Sequence, residues 1–293
     1  MKKLNSLSVF FPCFNEAANL PLLIEQAQKE VPKLAKKYEL IIVNDGSSDD
    51  TLEVAAALQK KYPQLRLVSH QQNLGYGEAL ATGFQESRFD WIFFTDGDNQ
   101  FDLSELAEFI PYAGQYQVVI GYRKNRAEGW TRQIYAEILK LFVKLVFRLH
   151  VKDVDCAFKL FKAEVIKPLE LISTGGFVSS EFLYRLKKQG IEFKQLPVTH
   201  LPRQFGTPTG NSLRVLVKAG WDALRLYFKL KLGLGAGCRI DLKGSKASVG
   251  VDQKKDVGTS QAVKSKVSSR VTDQVRLLTK QKPVRKPAKK DLS

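Results

Sequence analysis

Residues 91–100 read Trp91-Ile92-Phe93-Phe94-Thr95-Asp96-Gly97-Asp98-Asn99-Gln100, an apolar run that ends abruptly in two carboxylates separated by one glycine. The run has the length and composition of a buried strand. Asp96 and Asp98, just past its end, are able to point into one crevice because Gly97 puts no side chain between them. A crevice at the carboxyl ends of parallel strands is where open α/β sheets bind ligands. Two hard oxygen donors there, with Gln100 close behind, suit Mg²⁺ or Mn²⁺, ions that keep several waters and are completed by substrate phosphates. The stretch points to a diphosphate-bearing substrate, although taken alone it also describes an ordinary Asp-Gly turn closing a strand.

Working outward, two earlier segments repeat the design. Ser8–Phe11 runs into Pro12-Cys13-Phe14-Asn15-Glu16, and Leu40–Val43 runs into Asn44-Asp45-Gly46-Ser47-Ser48-Asp49-Asp50-Thr51. Each polar cluster precedes a helical pattern, one through Leu20, Leu23, Ile24 and Ala27, the other through Leu52, Ala55, Ala56 and Leu58. Asn15 or Glu16 is the expected start of the first helix, and Ser48 or Asp49 the expected cap of the second. Further strands are expected at Arg66–Ser69 and Val118–Gly121. Repeated strand-turn-helix units make a mainly parallel sheet with helices on both faces, an α/β fold.

With these residues in view, the chain resembles the nucleotide-sugar transferases of glycosyltransferase family two, in particular the dolichyl- and polyprenyl-phosphate mannosyl- and glucosyltransferases. The resemblance rests on P-C-F-N-E at 12–16, N-D-G-S-S-D-D-T at 44–51, N-L-G-Y-G-E-A-L-A-T-G-F at 73–84, D-G-D-N-Q at 96–100 and G-Y-R at 121–123. It continues through D-C-A-F-K-L-F at 155–161, Ser180-Glu181, and H-L-P-R-Q-F-G at 200–206, and so covers roughly residues 5–230 in the family's order. It implies a GT-A type nucleotide-sugar-binding domain over residues 1–235, followed by a basic tail at 236–293. It implies a donor that is a GDP- or UDP-sugar, a divalent Mg²⁺ or Mn²⁺, and inverting transfer of a hexose to a polyprenyl phosphate or another membrane-bound acceptor.

The resemblance also distributes roles. Pro12, Phe14, Glu16, Val43 and Asp45 form the nucleoside pocket. Asp96, Gly97 and Asp98 hold the nucleotide sugar and the ion, with Asp98 and Gln100 as the metal ligands. Arg123 and Arg203 donate to phosphate oxygens, a task suited to a bidentate, permanently charged guanidinium. A sugar hydroxyl acceptor needs a base, for which Glu181 and Asp155 are the carboxylates in the matching region. A phosphate monoester, its second pKa near 6, is already largely ionised at pH 7 and needs none. Catalysis is thus expected of Asp96, Asp98, Arg203 and, where a base is used, Glu181. Replacing Asp98 by alanine is expected to abolish activity and metal dependence without unfolding the protein, since a strand-end residue should face solvent.

The chain departs from the family in three places. Dolichyl-phosphate mannosyltransferases usually follow the arginine with a serine-lysine pair, where this chain has Pro208 and Thr209. Relatives often carry aspartate two residues before Glu181, where Ser179 stands here. The middle of the carboxylate motif is Gly97 rather than alanine, a change expected to preserve the geometry. G-Y-G-E-A-L at 75–80 lacks the third glycine and the preceding strand of a dinucleotide-binding loop, which argues against a dehydrogenase. A transferase acting on a glycan or glycolipid hydroxyl, and a non-catalytic nucleotide-sugar-binding protein at a membrane surface, are the competing classes.

Composition fits a globular domain with a charged appendage. The net charge is +16, and residues 239–293 contribute 15 Lys and Arg against 5 Asp and Glu. That tail has few large apolar residues and no sustained period, a disordered composition. It reads as a solubilising tail without a specific partner or as one attracted to an anionic membrane surface; without an aromatic residue to stack on bases, no specific nucleic acid is expected. Two basic amphipathic helices are expected at 130–150 and 212–232, each with cations interrupting an apolar face, as in helices that lie in a membrane interface. Three cysteines, Cys13, Cys156 and Cys238, without C-x-x-C spacing, suggest neither a disulfide framework nor a zinc site. No signal peptide is read at the N-terminus. The expected location is the cytoplasmic face of the membrane, peripherally attached.

Overall fold

The computed structural model describes residues 3–124, 147–205 and 228. The chain divides into a unit spanning Met1–Cys238 and another spanning Arg239–Ser293. The basic tail, Pro208, Thr209, and nearly all of the 130–150 and 212–232 segments lie outside the described residues. Of the first segment, residues 147–150 are described and are not helical, with Arg148 at φ 52°. Phe147 and Leu149 are buried there, and Phe147 packs edge-on against Tyr184 at 5.4 Å. The end of that expected interfacial helix therefore belongs to the protein core.

Seven strands form one sheet in the order β3-β2-β1-β4-β6-β5-β7. They are β1 (Leu4–Cys13), β2 (Ala35–Asn44), β3 (Leu65–Ser69), β4 (Trp91–Thr95), β5 (Val118–Arg123), β6 (Phe158–Lys162) and β7 (Phe193–Val198). All neighbours pair in parallel except β6, which runs antiparallel between β4 and β5. Val9–Phe11 of β1 and Trp91–Phe94 of β4 are continuously apolar because helices cover both faces, as parallel sheets require. Helices α1 (Leu20–Leu34), α2 (Thr51–Lys61), α3 (Tyr76–Glu86), α4 (Ala163–Ile166) and α5 (Val178–Lys188) are described, with 3-10 turns at Leu103–Glu108 and Ile110–Gly114. In α1 the stripe Leu20, Leu23, Ile24, Ala27, Val31 and Leu34 is buried, at helical spacing. Among the described residues no helix is long and apolar enough to cross a membrane.

Strands β1 and β2 are longer than their apolar runs suggest. Their polar halves pair in register from Leu4 with Ala35 onward, and the buried Glu39 makes this affordable. Its carboxylate accepts from Ser8 Oγ at 2.7 Å, Arg88 N at 2.8 Å and Arg66 at 3.0 Å. Under the sheet's other end lies an aromatic cluster in which Phe84 meets Phe10, Phe94, Phe161 and Phe182 edge-on, at centroid distances of 5.2–6.1 Å. This core fixes the strand ends on which the polar residues stand.

The sheet has a topological switch between β1 and β4, where the chain proceeds to β2 and β3 on one side and to β6 on the other. Phe14–Glu16 after β1 and Asp96–Gln100 after β4 lie on either side of that switch, where Gly97 N meets Pro12 O.

Candidate active site

Register brings the strand-end residues side by side. Asp45 N donates to Cys13 O at 2.9 Å, His70 N to Asn44 O at 2.9 Å and Gly97 N to Pro12 O at 3.3 Å. Each of Phe14, Asp45, His70 and Asp96 is thus the first residue past its strand. The loops between are tied by side chains rather than helix caps. Asn15, at φ 58°, accepts Ser48 N at 2.8 Å and Asp49 N at 3.3 Å on its side-chain oxygen. Asp49 accepts Thr51 N at 3.0 Å. The N-caps are instead Asn19 for α1 and Asp50 for α2, neither with a side-chain capping bond. Asn15 is drawn into binding one loop to the other, while Asp49 does both, accepting Ala17 N of the first loop at 3.2 Å and Thr51 N, the first amide of α2.

The expected acids and one expected arginine converge. Arg203 spans Glu16 Oε1 at 3.4 Å and Asp98 Oδ2 at 2.5 Å. Asp98 is 6% exposed, which corrects the expectation of a solvent-facing position: the segment carrying Arg203 covers it. That segment is placed by a bridge of Phe101 with His200 and by Gln100, whose Nε2 donates to Leu201 O at 3.1 Å and whose carbonyl accepts Leu201 N at 2.8 Å. Gln100 thus fastens the arginine segment with the amide of its side chain.

Asp96 remains half-buried and accepts from the Tyr76 hydroxyl at 2.8 Å. Burial, and then the neighbouring charge of Asp98, push the Asp96 carboxyl up to about 7, opposed by the Tyr76 hydrogen bond and by Lys159. Burial and Asp96 raise the Tyr76 phenol well above its ordinary value, so it stays protonated as a donor. Lys159 is fully buried on β6, donating to Val154 O at 2.9 Å and to Cys156 O. Burial also raises Glu16, against a 2.5 Å bond from Asn19 and the charge of Arg203.

Asp45 is held from three directions. Oδ1 accepts from His70 Nδ1 at 2.7 Å and Leu74 N at 2.9 Å, and Oδ2 from Gly75 N at 2.9 Å. Because a carboxylate only accepts, the His70 proton sits on Nδ1, and Nε2 faces Thr82 Oγ1 at 3.0 Å. Phe14 and Leu74 flank this acid as exposed apolar side chains.

Other expected residues are placed elsewhere or otherwise engaged. Val43 is completely buried, so its side chain lines the core and not an open pocket. Pro12 is buried and contributes its carbonyl to Gly97. Arg123 forks onto Asp153, Nε at 2.7 Å and an NH2 bond at 3.0 Å, a partner that lies 30 residues away in sequence. Glu181 is fully buried and accepts Ile172 N at 3.0 Å, Ser173 N at 2.8 Å and Arg185 at 2.8 Å; none of these bonds reaches Asp96 or Asp98. Asp155 is exposed.

Sequence reasoning missed His70, Tyr76, Asn19 and Asp153. For His70 a signal existed: it stands just past β3 as Asp45 stands just past β2. The others depend on long-range packing.

Gly97 is also more constrained than expected. A Cβ there would lie 2.6 Å from Cys13 Sγ, so alanine requires a smaller neighbour on β1. Gly97→Ala is expected to cost about 1–3 kcal/mol, as overpacking does, and Cys13→Ala in the same chain should restore most of it. Urea denaturation of the two single variants and the double checks this; additive losses would contradict it.

The donor set fits a hard divalent ion that keeps its waters. Two carboxylates share a strand end, and burial, then the charge of Asp98, raises the Asp96 carboxyl to about 7. Asn99, which follows Asp98, and Asn19, whose carbonyl accepts Asn99 Nδ2 at 2.8 Å, each have a buried side-chain oxygen without a hydrogen-bond partner. Among the described residues no group of three or more His, Cys, Asp and Glu is placed to hold a metal ion; Mg²⁺ is commonly bound through only one or two carboxylates plus substrate phosphates.

A model of the Glycosyl transferase family 2 matches residues 8–169. The chain is 26% identical over 219 residues to the undecaprenyl-phosphate 4-deoxy-4-formamido-L-arabinose transferase of Proteus mirabilis, covering 73% of this chain and 66% of that protein. It is 25% identical over 216 residues to the protein of the same name from Pectobacterium atrosepticum, covering 73% and 65%. The match thus spans just under two thirds of the length of these relatives. Its fold is similar to that of glucosyl-3-phosphoglycerate synthase from Mycobacterium tuberculosis, crystallised with Mn²⁺, UDP and phosphoglyceric acid. The TM-score is 0.60 at 20% identity, over 76% of this chain and 78% of that one.

Proposed function

The chain belongs to glycosyl transferase family 2 and has the GT-A fold, and from that premise we propose that it transfers a hexose, mannose or glucose, from a GDP- or UDP-sugar to a polyprenyl phosphate, with inversion. The observation that carries this reading is the convergence of Asp96, Asp98, Glu16 and Arg203 at the switch point of the sheet. Relatives whose names specify undecaprenyl phosphate support the acceptor. The bonding of Glu181 supports it too. A phosphate acceptor is ionised without help, so the reaction does not call on a carboxylate already saturated by two amides and an arginine.

In this reading Asp45, with Phe14 and Leu74 beside it, receives the nucleoside. Glu16 and Arg203 close the site over the diphosphate, Arg203 handing guanidinium donors from the acids to phosphate oxygens. Tyr76 fixes the direction of Asp96. The residues that would hold the divalent ion are Asp98 and Gln100, with Asp96 beside them; when bound, the ion would neutralise charge building on the diphosphate leaving group. The sugar's anomeric carbon is then open to the acceptor oxygen from the face opposite the nucleotide. The domain occupies residues 1–235, and the segments at 130–146 and 212–232 with the basic tail draw it to the cytoplasmic face of an anionic membrane.

The test is transfer of labelled sugar from GDP- and UDP-sugars to a short polyprenyl phosphate, with Mg²⁺ or Mn²⁺ and with EDTA as control. Metal-dependent label in the organic phase is the expected result. Saturable transfer to a sugar hydroxyl, unmatched by lipid phosphate, would overturn the acceptor.

The raised Asp96 carboxyl sets a pH dependence. Its native pKa, about 7, lies above the ordinary 3.8, so the native state keeps this proton to higher pH than the unfolded chain does. The stability this contributes is present below about pH 4 and is lost as pH rises towards 7. A divalent cation should therefore raise the melting temperature more at pH 8 than at pH 6. Equal shifts at both would contradict the assignment.

A further inference from the structure

The loop between α4 and α5 lies directly on the glycines that start α3. Gly77 N donates to Thr174 O at 2.8 Å. A Cβ at Gly77 would stand 1.9 Å from Ser173 O, and one at Gly75, where φ is +99°, 2.5 Å from Thr174 O. Only glycines admit so close a backbone. The same loop is pinned from its other side by Glu181, which takes the N–H groups of Ile172 and Ser173 while paired with Arg185.

Residues 74–77 in turn touch both strand-end acids. Leu74 and Gly75 donate backbone N–H groups to Asp45, and Tyr76, between the two clamped glycines, donates its hydroxyl to Asp96. A short segment thus links the two acids, and a loop held by a fully buried carboxylate presses on it.

We propose that Glu181 is a positioning residue of the donor site. Through Ile172–Thr174 and Gly75–Gly77 it sets the Tyr76 phenol against Asp96 and two amides against Asp45, without touching substrate. This rests on the reading of Asp96 and Asp45 as donor-site acids given above. It gives the S-E motif on α5 and the G-Y-G motif on α3 one joint task. Misplacing a catalytic group by a fraction of an ångström to an ångström costs up to a hundredfold in rate, so a carboxylate remote from the chemistry has leverage on it.

The test is a double-mutant cycle of Glu181→Gln with Tyr76→Phe, read by divalent-dependent nucleotide binding in calorimetry and by the kcat and KM of transfer. Each single variant is expected to weaken nucleotide binding and lower kcat about tenfold, with the KM for the lipid unchanged, and the double to be no worse than the worse single. Gly77→Ala breaks the clasp without altering Glu181 and should reproduce the effect; it replaces Glu181→Gln in the cycle if that variant does not fold. Losses that multiply, to about a hundredfold in the double, would overturn the proposal. So would wild-type nucleotide binding in folded Glu181→Gln or in Tyr76→Phe. A wild-type protein that binds nucleotide with a divalent ion but labels no lipid refutes the acceptor reading alone, because the binding cycle is still measurable.

Discussion

Asp98→Asn is expected to reduce sugar transfer by about 10²–10³-fold, the range seen when one preorganised electrostatic contact to developing charge is removed, while the protein stays folded. The substitution is isosteric. Its partner Arg203 is 26% exposed on its side chain, so the guanidinium freed from Asp98 turns to water instead of being stranded. The carbonyl of the new amide still accepts from Gln100 N, which lies 3.2 Å from Asp98 Oδ1. What is lost is the second negative charge beside Asp96. Circular dichroism and the urea midpoint should match wild type, and divalent-dependent nucleotide binding should disappear. Wild-type turnover would remove Asp98 from the site. Asp96 in the variant should titrate lower, because the like charge of Asp98 is one of the causes that raise it.

Arg203→Ala is expected to lose about 10²-fold in transfer with less than about 1 kcal/mol in stability, since a partly exposed ion pair contributes little. The guanidinium spans two acids, Glu16 and Asp98, that come from the loops on either side of the switch. Its removal leaves three carboxylates in one crevice with no arginine opposite among the described residues, so binding of a diphosphate should suffer more than the fold does. Arg203→Lys should recover only part of the loss, because an ammonium is a point charge and cannot reach both acids in one plane. Steady-state kinetics with the urea midpoint of each variant separates the two quantities. An Arg203→Ala protein that transfers sugar normally, or one that unfolds, would contradict the assignment.

Much of the sheet is legible in the chain. Strands whose apolar runs are continuous, such as Trp91–Thr95 and Leu40–Val43, are read directly because parallel strands covered on both faces have no polar side to show. The apolar stripe of α1 is equally plain. What is not legible is where such runs stop being needed. The lower halves of β1 and β2 contain Ser6, Ser8, Lys37 and Glu39, and they extend as strands only because Arg66 and Arg88, from distant segments, satisfy the buried carboxylate of Glu39. The helix starts are obscured for a related reason: Asn15 and Asp49 find partners in each other's loops, an option that exists only once β1 and β2 are paired, although Asp49 also takes the first amide of α2.

The sequence by itself determined the α/β class, the parallel strands and the strand ends that carry Asp45, Asp96 and Asp98, since these follow from periodicity and local turn chemistry within a few residues. Only the tertiary structure decided which charges face which. It set Arg203 on Asp98 and Glu16, gave Arg123 to Asp153, and enclosed Glu181 among Ile172, Ser173 and Arg185. It also brought His70 and Tyr76 to the acids and made Gly97 dependent on Cys13. The physical reason is that an ionic side chain's partner is chosen by burial and distance across the fold, where an unpaired charge is costly, and a linear pattern records neither.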